Sequence, residues 1–249
     1  MSIPSYKHNF GIAPFQTGIE HVTPKYLAPF RANAWFMSPP CQPYTRMGKQ
    51  RDDQDPRAKG LLHLIDLLGT LPDPPSYIFM ENVLNFEKSR SRDRLISQLV
   101  RLNYTYTEWM LTPTQLGIPN DRMRYYLTAR RNTTSPSPES LPPKIDAEQV
   151  IAPPPQLQDT WPYASPFGPE HRNDLGFYLE DGIDIGGDGG WKVPDAFVRT
   201  RSFFSEFVIA KPTDTRTCCF TKAYGHHGLG AGAFLQTCNF DVGDMDAHD

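Results

Sequence analysis

The 249-residue sequence has few cysteines and no long hydrophobic run. No segment approaches the roughly 18–20 consecutive apolar residues that a membrane-spanning helix requires. The first residues, MSIPSYKHNFG, lack the apolar core of a secretory signal, so we expect an intracellular protein, either cytoplasmic or nuclear. The four cysteines form no C-x-x-C pair, which argues against a zinc site and a disulfide framework. His226 and His227 lie near Cys219, but adjacent histidines lack the usual ligand spacing, so we predict no metal site.

The net charge of −3 is distributed unevenly along the chain. Residues 1–131 contain 17 Lys/Arg and 11 Asp/Glu, whereas residues 132–249 contain 8 and 17. The first half is therefore basic and the second half acidic. A basic half could bind a polyanion such as a nucleic acid, although such an excess is also typical of ordinary solvated surface.

The hydrophobic pattern predicts strands that alternate with helices, an order typical of an α/β protein with a doubly wound parallel sheet. Asp55 is the predicted N-cap of the first helix, Pro56 suits its first position, and Gly69 ends it. YIFM at 77–80 is short and continuously apolar, so we expect a strand covered on both faces. The predicted elements are a strand at 34–37, a helix at 56–68, a strand at 77–80, a helix from about Arg90, and strands at 104–111 and 124–129.

Residues 131–169 contain ten prolines, including the run from Pro153 to Pro155. Proline cannot donate a ladder hydrogen bond, so this composition argues against packed parallel sheet. We predict an irregular, partly mobile insertion here.

Two reactive side chains follow two of the predicted strands. Cys41 in FMSPPCQPYTR comes just after strand 34–37, and Glu81 comes just after strand 77–80. In a doubly wound sheet, ligands bind beyond the carboxyl ends of the strands. Taken alone, Cys41 could be a small buried apolar residue and Glu81 a capping or solvated charge. Their shared rim and the rigid Pro-Pro turn before Cys41 make a functional pair an equally good interpretation.

Several motifs resemble the cytosine-5 methyltransferase family. PPCQPYTR, ENV (81–83) and RMR (122–124) resemble the core motifs at these spacings, while CFTKAYG (219–225) and TPTQLGIPNDRMRYYLTAR resemble the tRNA-methylating branch. The resemblance runs from about Tyr6 to Phe240. It implies a Rossmann-like core that binds S-adenosylmethionine and carries a small irregular target-recognition insertion. The implied domains are a partial catalytic core at 1–130, the insertion at 131–217, and a return segment with CFTKAYG and an acidic tail at 218–249.

The resemblance also implies a reaction, namely methyl transfer to carbon-5 of a cytosine in a tRNA anticodon loop. Cys41 would be the nucleophile that adds to carbon-6 of the base. Glu81 would bind the ring nitrogen and exocyclic amine, and Arg122 and Arg124 would brace the flipped base.

Further contacts are implied by the same motifs. GIEHVT (18–23) loosely resembles a cofactor motif, so Ile19 and Pro39 are the expected cofactor contacts. The basic residues after the nucleophile either hold phosphates or form a solvated loop mouth; they are Arg46, Lys49, Arg51, Arg57 and Lys59. The expected substrate contacts are Gln42, Arg46, Asn82, Val83, Cys219, Thr221, Lys222 and Tyr224.

The family's N-terminal glycine-rich cofactor turn and its C-terminal closing motif have no match in this sequence. GLGAG (228–232) has no convincing strand before it or helix after it, so we do not interpret it as a cofactor loop. The sequence therefore predicts an incomplete core, and two hypotheses follow. The chain is either a tRNA cytosine-5 methyltransferase or a catalytically inactive relative that binds RNA or a full-length partner. DNA methylation is a third, less favoured alternative, because CFTKAYG indicates the tRNA branch.

Overall fold

The computed structural model describes residues 3–45, 51–132, 152–162, 173–180, 208–221, 224 and 231–236. The chain divides into two compact units. Unit 1 comprises Met1–Met110 and Arg124–Asp159, and unit 2 comprises Leu111–Met123 and Thr160–Asp249. This division groups residues 111–123 with the C-terminal part of the chain, whereas the predicted core ran unbroken to residue 130.

The helices and strands of the described residues follow the alternating order that the sequence predicts. The helices are α1 (Ile3–Phe10), α2 (Pro24–Leu27), α3 (Lys59–Leu68) and α4 (Arg90–Arg101). The strands are β1 (Ala34–Met37), β2 (Tyr77–Val83), β3 (Tyr104–Leu111), β4 (Asn120–Asp121), β5 (Arg124–Arg131), β6 (Leu157–Gln158), β7 (Val208–Ala210), β8 (Thr217–Cys218) and β9 (Ala233–Leu235). None of the helices in this part of the chain is long and apolar enough to cross a membrane.

Local sequence signals fix the ends of the two longest helices. The Asp55 carboxylate accepts a hydrogen bond from the Arg57 backbone nitrogen at 3.0 Å, and Pro56 opens the short 3₁₀ turn that leads into α3. Gly69 follows the last residue of α3. Ser89 caps α4 through its hydroxyl, which accepts from the Arg92 nitrogen at 3.0 Å. The predicted end of the first helix at Gly69 and the start of the second near Arg90 are confirmed. Asp55 is a cap as predicted, but it caps the 3₁₀ turn Pro56–Ala58, and α3 itself begins three residues later at Lys59.

Unit 1 is built on one five-stranded sheet with the spatial order β1-β2-β5-β3-β6. β1 and β2 are parallel, but β5 runs antiparallel to β2. The prediction of an all-parallel sheet is therefore wrong at β5. A parallel return usually needs a crossover helix, and residues 112–123 between β3 and β5 contain only a 3₁₀ turn at Pro113–Leu116 and the two-residue strand β4.

The proline-rich segment contributes a strand, which the sequence analysis did not predict. Leu157 and Gln158 pair with Glu108 and Trp109 of β3, so β6 extends the sheet at its edge. The prolines at 153–155 precede this strand, where their missing donors interrupt no ladder. The remainder of the predicted insertion falls largely on residues 133–151 and 163–172, which lie outside the described part of the chain.

The core of unit 1 lies between one face of the sheet and helices α3 and α4. Its buried side chains include Leu61, Ile65, Leu95, Leu99, Ile78, Met80, Tyr125 and Leu127. Along β2, Ile78, Met80 and Asn82 are buried, while Tyr77 on the other face is 50% exposed. The expectation of a strand covered on both faces is wrong for the described residues, because β2 alternates as a half-buried strand does.

The described part of unit 2 contains two small parallel pairs, β4 with β8 and β7 with β9. Gly232 precedes β9 with a φ of +157°, and a Cβ there would lie 2.6 Å from Phe220 and 2.7 Å from Tyr224. This glycine of the GLGAG cluster is therefore needed for close packing against the CFTKAYG segment.

Candidate active site

The pairing of β1 with β2 brings three polar side chains together at the rim of the sheet. Met37 pairs with Met80, so Ser38 and Glu81 are neighbours. The Ser38 hydroxyl donates to Glu81 Oε2 at 2.6 Å, and Arg124 Nε lies 3.3 Å from Glu81 Oε1. The side chains of Glu81 and Arg124 retain 29% and 19% exposure, so the carboxylate is held by two donors and still faces solvent. The sequence analysis identified Glu81 and Arg124 but not Ser38, although its place directly after β1 was the available signal.

Cys41 begins a tight turn beyond the end of β1. The Tyr44 nitrogen donates to the Cys41 carbonyl at 3.0 Å, and Pro39 and Pro40 enter the turn. The Cys41 thiol is free and half-buried. β2 continues to Val83, so Glu81 is the third residue from the end of the strand and does not lie beyond it, as the sequence analysis predicted.

Asp52 ties the far side of the Cys41 turn to helix α4. Its backbone nitrogen donates to the Pro43 carbonyl at 3.3 Å, while its carboxylate accepts from the Arg90 nitrogen at 2.6 Å and from the Ser91 hydroxyl at 2.8 Å. Asp52 has a φ of +51°, an uncommon conformation for a side-chain-bearing residue. A carboxylate at a helix N-terminus satisfies free amide donors and interacts favourably with the helix dipole.

The Asp52→Ala variant should lose about 1–2 kcal/mol of unfolding free energy, the typical cost of removing a helix cap. Asp52→Asn keeps an oxygen acceptor, so it should lose less than half as much. Urea unfolding of both variants provides the measurement. An alanine variant as stable as the parent would contradict the capping role.

Arg57, one of the predicted phosphate-binding residues, is bound through its guanidinium to Asp55. Its Nε and Nη2 donate to the two oxygens of Asp55 at 2.9 and 2.7 Å. These hydrogen bonds lower the pKa of Asp55 to about 2. The pKa of Arg57 is raised, mainly by its hydrogen bond to Asp55. Arg51 and Lys59 are exposed, and Arg46 and Lys49 lie outside the described residues.

The substrate contacts predicted around the nucleophile and in β2 differ in exposure. Gln42 is exposed beside Cys41, and Val83 is half-buried. Asn82 is only 1% exposed and lies on the core face of β2, where its Oδ1 accepts from the Val83 nitrogen at 2.8 Å. Side chains alternate across a strand, so Asn82 points away from the face that carries Glu81. The substrate contact predicted for Asn82 stays a prediction, and the observed position gives this side chain a place in the core of unit 1.

In unit 2, the structure brings together two of the predicted residues that are 97 positions apart. Arg122 Nη1 donates to Cys219 Sγ at 3.4 Å, and the Arg122 nitrogen donates to the Thr112 hydroxyl at 3.1 Å. Asp121 and Arg216 form an ion pair beside them, with Nε 3.1 Å from Oδ2. The sequence analysis proposed separate contacts for Arg122 and Cys219 and did not foresee this hydrogen bond, because it depends on the pairing of β4 with β8.

The remaining CFTKAYG residues are partly used for packing. The Thr221 backbone nitrogen donates to the Ala231 carbonyl at 2.7 Å, and the Thr221 side chain is exposed. The Tyr224 hydroxyl donates to the Ala233 carbonyl at 3.0 Å. Tyr224 is thus already engaged in unit 2, and Lys222 lies outside the described residues.

The two predicted cofactor contacts offer apolar surface only. Ile19 is 45% exposed on the turn Ile19–His21, and a Cβ on Gly60 would lie 3.5 Å from its Cβ. Pro39 is half-buried beside the nucleophile turn. Both side chains are apolar, so they offer no hydrogen-bonding group to a ribose or an amino acid.

The cysteine and the carboxylate lie at the rim where open α/β sheets bind their ligands, and a cysteine there can act as a covalent nucleophile. The model of the C-5 cytosine-specific DNA methylase family matches residues 2–168. The chain belongs to this family, whose methyl donor is S-adenosylmethionine.

Individual relatives extend the match. A tRNA (cytosine(38)-C(5))-methyltransferase of Spodoptera frugiperda is 38% identical over 231 residues, covering 92% of this chain and 62% of that protein. A DNA (cytosine-5)-methyltransferase of Dictyostelium discoideum is 47% identical over 131 residues, covering 51% and 35%. The crystal structure of a Spodoptera frugiperda DNMT2 mutant superposes with a TM-score of 0.72 at 35% identity, covering 97% of this chain and 66% of that one. The chain spans about three fifths of the first relative's length, and the predicted α/β methyltransferase core is confirmed.

Proposed function

We propose that this chain methylates carbon-5 of a cytosine in tRNA, with cytosine 38 of the anticodon loop as the target. The observation that carries the proposal is the rim arrangement of Ser38, Glu81 and Arg124 beside the Cys41 turn. It supplies a thiol and a fixed carboxylate at one edge of the sheet. The similarity to a tRNA (cytosine(38)-C(5))-methyltransferase over 92% of this chain supports the choice of RNA.

Cys41 performs the covalent part of the reaction. Its thiolate attacks carbon-6 of the cytosine, forming an Sγ–C6 bond and moving the C5–C6 electron pair toward carbon-5. S-adenosylmethionine, when bound, supplies the methyl group that carbon-5 accepts. Loss of the carbon-5 proton to a base then returns an electron pair to the ring, and the Sγ–C6 bond breaks to release Cys41.

Glu81 stabilises the base while Cys41 adds to it. A carboxyl group facing ring nitrogen-3 and the exocyclic amine matches the donor and acceptor pattern of cytosine and not that of uracil. Ser38 and Arg124 each bond to one oxygen of Glu81, so they fix its orientation before the base arrives.

A target in a loop suits this arrangement, because the base must leave its stack to reach Cys41. Extrusion costs a few kcal/mol in a duplex and less in a single-stranded loop. The retained thiol, carboxylate and arginine support the enzyme hypothesis over the inactive binder, since a chain that only binds RNA has no need for all three.

The proposal is tested by incubating the purified chain with methyl-labelled S-adenosylmethionine and tRNA. We expect label in the parent tRNA and none in a transcript with uridine at position 38. Calorimetric titration of S-adenosylmethionine is the companion measurement, and micromolar binding is expected. If the folded chain binds RNA but does not bind S-adenosylmethionine and transfers no label, the inactive relative is favoured. If label is transferred only to duplex DNA, DNA methylation is favoured.

Replacing Glu81 with glutamine should lower the single-turnover rate of methyl transfer by about 10²–10⁴-fold, the usual contribution of a positioned acid or base. The amide cannot carry the proton or the charge that the carboxyl group provides. RNA affinity, measured by filter binding, should change little. Asp66→Asn, at an exposed site on α3, is the matched control and should retain the parent rate. A glutamine variant with full activity would remove Glu81 from the mechanism.

A further inference from the structure

Three aromatic rings form a continuous buried stack beneath the nucleophile. Tyr44 packs edge-on against Phe86 with ring centroids 4.9 Å apart, and Phe86 contacts Tyr125 at 5.0 Å. Tyr44 is 5% exposed, and Phe86 and Tyr125 are fully buried. Pairs with these separations are worth about 0.5–1.5 kcal/mol beyond the area that they bury.

Each ring belongs to a segment that carries a residue of the candidate active site. Tyr44 closes the Cys41 turn through its backbone nitrogen. Phe86 opens the 3₁₀ turn Phe86–Lys88 shortly after the end of β2, the strand of Glu81. Tyr125 follows Arg124 in β5. The stack therefore joins the three segments whose relative positions the proposed reaction depends on.

The far end of the stack is fixed by a buried ion pair. The Tyr125 hydroxyl donates to Glu108 Oε1 at 2.8 Å, and Arg92 Nε donates to the same oxygen at 2.8 Å. Burial raises the pKa of Tyr44 to about 12, so its ring remains uncharged at any working pH. Its hydroxyl is buried beside Ser91 without a hydrogen bond of good geometry, because the Ser91 hydroxyl donates to Asp52. The ring is therefore the main contact that Tyr44 makes with the core.

We propose that Tyr44 is a positioning residue that holds the Cys41 turn in place by packing on Phe86 and Tyr125. The catalytic meaning of this inference rests on the proposed function, but the position of the thiol does not. Without the ring, the turn loses its only aromatic contact among the described residues, and Cys41 becomes more accessible and less well aligned.

Alkylation of the cofactor-free full chain by N-ethylmaleimide tests the proposal, with the rate at each cysteine followed by peptide mass spectrometry. In Tyr44→Leu, we expect Cys41 to react about two- to tenfold faster, matching the loss of one aromatic pair. Cys218 and Cys219 serve as internal references and should keep their parent rates. Tyr44→Phe retains the ring and should leave the alkylation rate of Cys41 within about twofold of the parent rate.

Methyl transfer by Tyr44→Leu should fall by about 10²-fold, with the KM for tRNA unchanged.

Two further variants separate positioning from general loss of stability. Tyr104→Leu removes an equally buried tyrosine elsewhere in the core, where the Tyr104 hydroxyl bonds to the Pro75 carbonyl. It should leave alkylation of Cys41 unchanged. Phe86→Leu removes the middle ring and should accelerate alkylation of Cys41 as Tyr44→Leu does. It therefore replaces Tyr44→Leu in the test if Tyr44→Leu folds poorly. Unchanged alkylation of Cys41 in both stack variants, or equal acceleration in Tyr104→Leu, overturns the proposal. Absence of methyl transfer in the parent chain, with the alkylation pattern intact, would count against the proposed function alone.

Discussion

Replacing Cys41 with alanine is expected to abolish methyl transfer, with a loss of at least about 10⁴-fold, the scale seen when a covalent nucleophile is removed. Carbon-5 of cytosine is a weak nucleophile until a thiolate adds to carbon-6, and alanine has no atom that can form this bond. The turn around residue 41 depends on backbone hydrogen bonds and on the Tyr44 ring, not on the thiol. RNA affinity and unfolding free energy should therefore remain close to those of the parent. Single-turnover transfer of labelled methyl groups and filter binding provide the two measurements.

Cys218→Ala is the matched control because Cys218 is also a free, half-buried cysteine. It lies in unit 2 on the short strand β8, so it should keep parent activity. A tRNA with 5-fluorocytosine at position 38 adds a direct readout. Fluorine cannot leave as a proton does, so the covalent adduct should accumulate on the parent and be absent from Cys41→Ala. Transfer at the parent rate by the alanine variant would exclude Cys41 as the nucleophile.

Most of the helices and strands of unit 1 could be predicted from the sequence because their signals are local. Apolar runs marked β1 and β2, Asp55 and Gly69 marked the ends of the first helix region, and both strands pointed to the same rim. The direction of β5 could not be predicted in this way. It depends on what connects β3 to β5, and a connection of a dozen residues is compatible with either direction until a crossover helix is excluded.

The candidate site was predicted as a set of residues but not as a set of contacts. Ser38 was missed because a serine after a strand has many ordinary roles, and only the register of β1 against β2 places it on Glu81. The contact between Arg122 and Cys219 depends on the pairing of two short strands far apart in the sequence. Asn82 was predicted to be a substrate contact because it belongs to the same motif as Glu81. Consecutive side chains of a strand point to opposite faces of the sheet, so Asn82 and Glu81 lie on different faces of β2.

Replacing Arg92 with methionine is expected to be the most destabilising change considered, at about 3–5 kcal/mol, because it leaves a buried carboxylate without its cation. The side chains of Arg92 and Glu108 are 1% and 2% exposed, and they are joined by Nε–Oε1 and Nη2–Oε2 contacts of 2.8 and 2.5 Å. Burial alone would lower the pKa of Arg92, but its hydrogen bonds to Glu108 and Asp93 raise it, so the guanidinium remains charged. The same guanidinium bonds to the Pro153 carbonyl at 2.7 Å and so also holds the segment before β6. Urea unfolding of the full chain measures the loss.

Arg94→Met is the matched control on the same helix, since Arg94 pairs with a largely exposed Asp66 at 3.3 Å. An exposed pair of this kind contributes at most about 1 kcal/mol, so the two arginine variants should differ severalfold in their cost. Adding Glu108→Gln to Arg92→Met removes the unpaired charge and keeps an acceptor for the Tyr125 hydroxyl, so part of the stability should return. Equal costs for the Arg92 and Arg94 variants would show that the buried pair contributes no more than a surface one. In that case the stack beneath Cys41 would have to be stabilised by ring packing alone, and Arg92→Met should leave alkylation of Cys41 at the parent rate.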